Sequence, residues 1–269
     1  MTCIAPYLND KEDNHMALEI SLAGKVAVVT GAARGMGRAI ALKFAEAGCS
    51  AIAVNDLRID DDMRSLEKEL RELGADVMVA AGDVSESGVV SGLIDAAVAK
   101  WGKIDILMNN AGIGRKIDLF DTTDEQWDRT LEINLKSVFM GMKTAGTYMK
   151  EQGSGVIINM ASMSGVTGGS QGPDYSASKA GIIALTKFGA KTLGKYGIRV
   201  IALAPGYIQT ELLDSLFTDP KFKEERMAAI PMGRTGTVEE VANVAAFLAS
   251  DLASYVSGDT ILITGGRLS

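Results

Sequence analysis

Apolar residues arrive along this chain in two alternating rhythms. Short runs rich in Val, Ile and Ala occur at 25–30, 51–56, 76–81, 104–108, 155–159, 199–203 and 260–264. Unbroken hydrophobicity over so few residues predicts strands buried on both faces, as in a parallel sheet. Between these runs the apolar positions recur every three or four residues, predicting helices over 38–47, 60–73, 89–101, 124–149, 175–195 and 237–249. Leu66, Leu70 and Leu73 fall on one face of the second helix, and Gly48 supplies the stop after the first. Strand alternating with helix in this way predicts an α/β fold, a doubly wound parallel sheet in three layers, α/β/α. With no repeat or linker in sight, residues 22–269 read as a single domain and 1–21 as a flexible N-terminal extension. From Pro205 to Gly233 the pattern is irregular. Leu212, Leu213, Leu216 and Phe217 make part of it amphipathic, which fits either a lid at about 210–232 or ordinary core packing.

The junctions carry the chemistry. Thr30-Gly31-Ala-Ala-Arg34-Gly35-Met36-Gly37 joins the first strand to the first helix. Glycines there allow a tight turn and close approach of a pyrophosphate to the N–H groups of a helix start. Asp56 ends the second strand about 20 residues further on, where a carboxylate can accept from the ribose 2′-OH of NAD and would repel the 2′-phosphate of NADP. Arg34 and Arg58 pull towards NADP, since either could contact that phosphate. NAD is the favoured cofactor. Gly82-Asp83-Val84 closes the third strand, where an adenine could stack and pair, and Asn109-Asn110-Ala111-Gly112 closes the fourth. The side-chain amides of the latter could hold a neighbouring loop or face the cofactor. Asn134 sits among Leu131, Ile133, Leu135, Val138 and Phe139 and needs hydrogen-bond partners there.

Composition narrows the field. A net charge of -7 argues against binding a nucleic-acid backbone. No apolar run reaches the length of a membrane span, and 9–14 is polar where a signal sequence would be apolar, so a cytoplasmic protein is expected. Cys3 and Cys49 read as free thiols, Cys49 in a small buried role. The sole histidine, His15, lies in the extension, which disfavours a Ser-His-Asp or Cys-His nucleophile and a histidine metal site; no metal is expected.

Proton chemistry is then left to Tyr, Lys, Asp or Glu. The run ending at Asn159 leads to Ser162 in a Gly-containing loop, and the next helix carries Tyr175 and Lys179 one turn apart on one face. A tyrosine working near neutrality needs its pKa lowered by roughly three units, about 4 kcal/mol. An ammonium at ~4 Å with an effective dielectric of ~20 offers about that much. The spacing alone is weak, since Tyr7 and Lys11 match it in the polar extension. Its conjunction with Ser162 and the glycine loop is what gives it meaning.

Taken together, the motifs 30–37, Asp83-Val84, 109–112, Asn134, Ser162, Tyr175-Ser-Ala-Ser-Lys179 and Pro205-Gly206 resemble the short-chain dehydrogenase/reductase family over residues 22–266. The resemblance implies a Rossmann-type fold and a catalytic set in which Tyr175 exchanges a proton with the substrate oxygen. Ser162 would bond that oxygen, Lys179 would bind the nicotinamide ribose and acidify Tyr175, and Asn134 would hold a water. It implies cofactor contacts at Gly31, Arg34, Gly35, Met36, Asp56, Leu57, Asp83, Val84, Asn110, Ala111, Gly112, Tyr175, Lys179, Pro205, Gly206, Ile208 and Thr210, substrate contacts at Ser162, Ser164 and Tyr175, and a homotetramer built through 124–149 and 175–195. The expected reaction moves a hydride between NAD and a small secondary alcohol or ketone, of hydroxysteroid or polyol type. Met160, Met163 and the lid lean towards an apolar substrate, and the C-terminal 265–269 could approach the pocket. A 3-oxoacyl reductase is the alternative, disfavoured because Lys150 beside Glu151 makes a poor dock for an acidic carrier. A non-catalytic dinucleotide sensor would commonly have lost Tyr175 or Lys179. A nucleotide-sugar epimerase would need more chain after Gly206.

Overall fold

A computed structural model describes residues 19–169, 171–211, 213, 217 and 219–267 of the protein. Cys3, Tyr7, Lys11, His15, Leu212 and Leu216, with the extension up to residue 18, lie outside the described residues.

Seven parallel strands form one sheet in the order β3-β2-β1-β4-β5-β6-β7. They are β1 (Val26–Thr30), β2 (Ala51–Asp56), β3 (Asp76–Ala81), β4 (Ile106–Asn109), β5 (Gly155–Met160), β6 (Ile198–Pro205) and β7 (Thr260–Ile263). Successive residues of a strand feed opposite faces. Ala27 and Val29 of β1 join a core with Ile40, Phe44, Val241 and Ala245, while Val28 joins a second core with Ile94, Val138 and Met142. This double burial is why the strands read as continuous apolar runs. A fully buried side chain of this kind contributes about 1.5–3 kcal/mol. Truncating the wholly buried Phe44 to Ala would cost about 3–5 kcal/mol.

The helices are α1 (Gly35–Glu46), α2 (Asp61–Glu72), α3 (Val89–Trp101), α4 (Asp124–Leu131), α5 (Ser137–Gln152), the single turn α6 (Ser164–Thr167), α7 (Pro173–Leu193), α8 (Pro220–Ala228) and α9 (Val238–Ala249). Asp60, Thr123 and Thr237 cap α2, α4 and α9 with side-chain oxygens, the latter two in full capping boxes. The long helix expected over 124–149 is interrupted: Glu132–Lys136 forms a π-helical turn between α4 and α5, with Asn134 inside it. Such turns are inserted where a side chain must be re-aimed, and no apolar periodicity announces them.

The strand order reverses between β1 and β4. In open parallel sheets the crevice outside the carboxyl ends at that point is where ligands bind. The loops after β1, β2, β4, β5 and β6 all open towards it. Among the described residues, no helix is long and apolar enough to cross a membrane.

Candidate active site

On the β1–β2 side the loop 30–37 is pinned from beneath. Asn110 Nδ2 donates to the Thr30 and Gly31 carbonyls at 3.0 and 2.8 Å, and Thr30 Oγ1 accepts from the N–H groups of Asn110 and Ala111, both at 3.1 Å. A Cβ on Gly37 would lie 2.1 Å from the Gly31 carbonyl oxygen, and one on Gly31 would lie 2.7 Å from Ala111 Cα. Both glycines are packing requirements. Gly35 differs: its φ is +57°, and a Cβ there would meet only Thr210 Cγ2, at 3.8 Å. It leaves open the approach to the start of α1, which has neither a side-chain cap nor an acidic residue in its first turn.

Asp56 stands at the end of β2, its carboxylate accepting from Ala33 N–H at 2.9 Å and Leu57 N–H at 2.8 Å. A carboxylate has about four acceptor positions, so capacity remains for a hydroxyl. Arg34 pairs with Glu211 at 3.0 Å, both side chains largely exposed, so the contact contributes little. Asp83 is bound by Arg129 and by Ser85, which holds its pKa below the ordinary value against the cost of burial. Its carboxylate, expected near an adenine, therefore already organises the protein's own loop. The Asn110 amide likewise serves the loop-holding alternative, whereas Asn109 Nδ2 donates to Asn159 Oδ1 of the neighbouring β5 at 2.8 Å.

On the β5–β6 side, Ser162, Ser164 and Tyr175 line one cleft with Met36, Pro205, Gly206, Ile208 and Thr210, around some 680 Å³ of atom-free space. Ser162 Oγ accepts from Ser164 N–H at 3.1 Å and hydrogen-bonds the Tyr175 phenol. The Met163 N–H, bonded to the Pro205 carbonyl at 2.9 Å, fastens the Ser162 loop to the end of β6. Lys179 Nζ lies 5.6 Å from the Tyr175 ring centroid and donates to the Met160 carbonyl at 2.7 Å. Asn134 is wholly buried; it grips Ile113 through Oδ1 (2.8 Å) and Nδ2 (2.9 Å) and donates to Ser178 Oγ at 3.1 Å. A Cβ on Gly112 would touch Asn134 Oδ1 at 3.2 Å and Lys179 Nζ at 3.3 Å, so these groups converge at one point.

The expected acidification of Tyr175 by Lys179 is not what the structure gives. Burial raises the phenol's pKa, the Ser162 hydrogen bond only partly opposing it, and burial pushes the Lys179 ammonium down to about 8. Helical spacing brought the two residues together but did not foretell that the ammonium turns to a strand-end carbonyl. Met160 is core rather than cleft lining, whereas Met163 and Leu213 line the cleft.

Two features escaped the sequence reading, and a third was foreseen only as a segment that could approach the pocket. Asp174, buried beside Tyr175, accepts from the Tyr175 N–H (2.8 Å), from Arg115 (2.8 Å) and from Thr130 Oγ1 (2.6 Å), tying the start of α7 to the loop after Gly112. Gln171 lines the cleft with its Oε1 buried and unpartnered. Arg267 reaches the same cleft, its guanidinium 4.6 Å from the Tyr207 ring centroid. Only the glycine pair before Arg267 hinted that this segment turns inward.

Comparison with known proteins agrees with this geometry. A family model described as enoyl-(acyl carrier protein) reductase matches residues 31–267. The chain belongs to the short-chain dehydrogenase/reductase family. This member of the family is 40% identical over 242 residues to a 3-oxoacyl-[acyl-carrier-protein] reductase of Staphylococcus aureus, covering 90% of this chain and 97% of that protein. It is 38% identical over 250 residues to a 2-dehydro-3-deoxy-D-gluconate 5-dehydrogenase of Dickeya dadantii, covering 93% and 97%. A crystal structure of NAD+-bound xylitol dehydrogenase superposes with a TM-score of 0.87 at 36% identity, covering 91% of this chain and 99% of that one. This short-chain dehydrogenase/reductase is therefore an oxidoreductase of Rossmann fold, from a family that uses nicotinamide cofactors. The open approach at Gly35 and the uncapped start of α1 fit a dinucleotide pyrophosphate.

Proposed function

We propose that the protein is an NAD-dependent oxidoreductase of a small secondary alcohol or ketone, with Tyr175 as general acid and base. The observation that carries this reading is the meeting of the Ser162 hydroxyl and Tyr175 phenol in one cleft, with the Lys179 ammonium beneath. When bound, the nicotinamide supplies or takes a hydride at the carbonyl carbon. Gly31, Arg34, Gly35 and Met36 would hold the pyrophosphate end, Asp56 and Leu57 the adenine ribose, and Asp83 and Val84 the adenine. Asn110, Ala111, Gly112, Lys179, Pro205, Gly206, Ile208 and Thr210 would hold the nicotinamide end. Asp56 favours NAD over NADP by repelling a 2′-phosphate.

Ser162 and Tyr175 donate to the substrate oxygen, and Ser164 lies alongside. A phenol whose pKa is raised keeps its proton at neutral pH, which suits it to protonate the oxyanion formed on ketone reduction. In the other direction the phenol must first lose that proton to solvent, so that the phenolate can take the alcohol's proton as hydride leaves. Asn134 fixes the loop at Ile113 and so sets the floor beneath Lys179. Leu213 and Phe217, the latter packed 5.2 Å from Tyr207, support a lid over this cleft.

Polyol-type substrates are supported by the xylitol dehydrogenase likeness, and the gluconate-derived substrate in the name of the 38% identical relative extends that class to acids. The second reading is a 3-oxoacyl reductase, favoured by the 40% identical relative, while the family model's description shares with it only an acyl-carrier substrate. Incubation with NAD or NADP and a panel of polyols, hydroxysteroids and 3-hydroxyacyl thioesters, followed by NADH or NADPH absorbance, separates them. Turnover confined to acyl thioesters with NADP would overturn the first reading. We propose also that copies of the chain assemble through α4, α5 and α7, where Phe139 and Phe188 are 48% and 66% exposed in a groove with Leu131, Leu135 and Leu185. Light scattering on Phe188→Glu, expected to dissociate, tests the assembly.

A further inference from the structure

The Arg267 guanidinium lies over the Tyr207 ring, 4.6 Å from its centroid, and that ring in turn packs on Phe217. A guanidinium carries a planar fork of N–H donors that matches a carboxylate. Arg267 Nε is buried with no acceptor, and among the described residues no carboxylate pairs with this side chain. An N–H donor withdrawn from water without an acceptor is costly. Gln171, in the same cleft, presents a buried Oε1 with no donor. The cleft that holds Ser162 and Tyr175 is therefore lined by two residues with an unanswered buried polar atom, the Nε donor of Arg267 and the Oε1 acceptor of Gln171.

We propose that Arg267 is the anchor for a substrate carboxylate, and that the substrate is a hydroxy- or oxo-carboxylic acid with a further hydroxyl donating to Gln171 Oε1. This rests on the oxidoreductase reading and names the substrate class of the same site. A planar carboxylate matches the guanidinium fork with two parallel hydrogen bonds, a geometry that a lone hydroxyl cannot supply. Met163 and Leu213 on the walls accommodate the carbon chain between the two polar ends.

The test uses the full chain loaded with NAD and two matched pairs: D-gluconate against D-glucitol, and 3-hydroxybutyrate against 1,3-butanediol. Wild type, Arg267→Leu and Arg267→Lys are compared by kcat/KM and, independently of turnover, by calorimetric binding of each compound. The acid of at least one pair is expected to be preferred about 10–100-fold, the range of a charge-assisted hydrogen bond. Arg267→Leu should remove that preference ratio and Arg267→Lys restore part of it. An acid-to-neutral ratio near one in wild type, a ratio unmoved by Arg267→Leu, or inorganic phosphate competing as well as gluconate would each overturn the assignment. Turnover of neutral alcohols with no acid preference would sink this inference and leave the oxidoreductase reading standing. Acid binding lost in Arg267→Leu but without any turnover would do the reverse.

Discussion

The two rims of the cleft are built on opposite plans. Along the ends of β1 and β2, the polar side chains of Thr30, Asn110 and Asp56 end on the protein's own backbone, though Asn55 Oδ1 is left without a partner, and two glycines are packed against carbonyl and Cα atoms. Along β5 and β6, Gln171 and Arg267 keep polar atoms without protein partners. The first rim is a mould set before anything binds. The second holds reactive and recognition groups whose partners must come from the substrate. A fixed mould suits a part shared by many reactions, and an open rim suits the part that differs among them.

The sharpest blow to the second rim is Tyr175→Phe, which should lower kcat about 10²–10⁴-fold with the fold intact by circular dichroism. A loss under tenfold would remove the phenol from the chemistry. At the first rim, Gly37→Ala should cost roughly 1–3 kcal/mol in denaturant melts, because its Cβ would push against the Gly31 carbonyl and the Asn110 amide that holds it. A neutral result would mean the mould is softer than drawn. Asp56→Ala should reduce the NAD-to-NADP binding ratio by about tenfold, a change of ~1.4 kcal/mol, in fluorescence titrations. NADP bound more tightly than NAD by wild type would reverse the cofactor assignment.

The smallest effect is one of stability against pH. Lys179 is held near 8 in the folded protein and titrates near 10.4 unfolded, so between those values the unfolded chain binds more protons. Its contribution to stability should therefore rise as pH climbs from about 8 towards 10. The raised pKa of Tyr175 reverses the trend above about 10, where the unfolded phenol ionises first. Lys179→Met should flatten the rise in chemical melts over that window.

The difference between the rims also decides what could be read from the residues alone. The seven strand positions and the loop 30–37 were legible because local pattern determines them, and the strand runs at 51–56 and 76–81 coincide with β2 and β3. The break at Glu132–Lys136 was not, since the apolar run through Asn134 reads as unbroken helix and the reason for the break lies at Ile113. Asp174 and Arg115 are far apart in sequence, and neither residue type declares its partner. Tyr175 and Lys179 share α7 as their spacing implied, but burial shifts their pKa values in directions that spacing did not announce. Spacing says which side chains share a face, not that Lys179 reaches the Met160 carbonyl or that burial governs both groups.

The central claim is that a phenol kept protonated by burial carries the proton between solvent side and substrate. The direct test is kcat measured against pH in both directions, with one alcohol–ketone pair, on wild type. Alcohol oxidation should climb steadily through pH 8 and beyond while ketone reduction holds level across neutrality and falls only in alkali. Oxidation already at its plateau in mildly acidic solution would contradict the account, because the phenol would then be ionised where burial is said to keep its proton on.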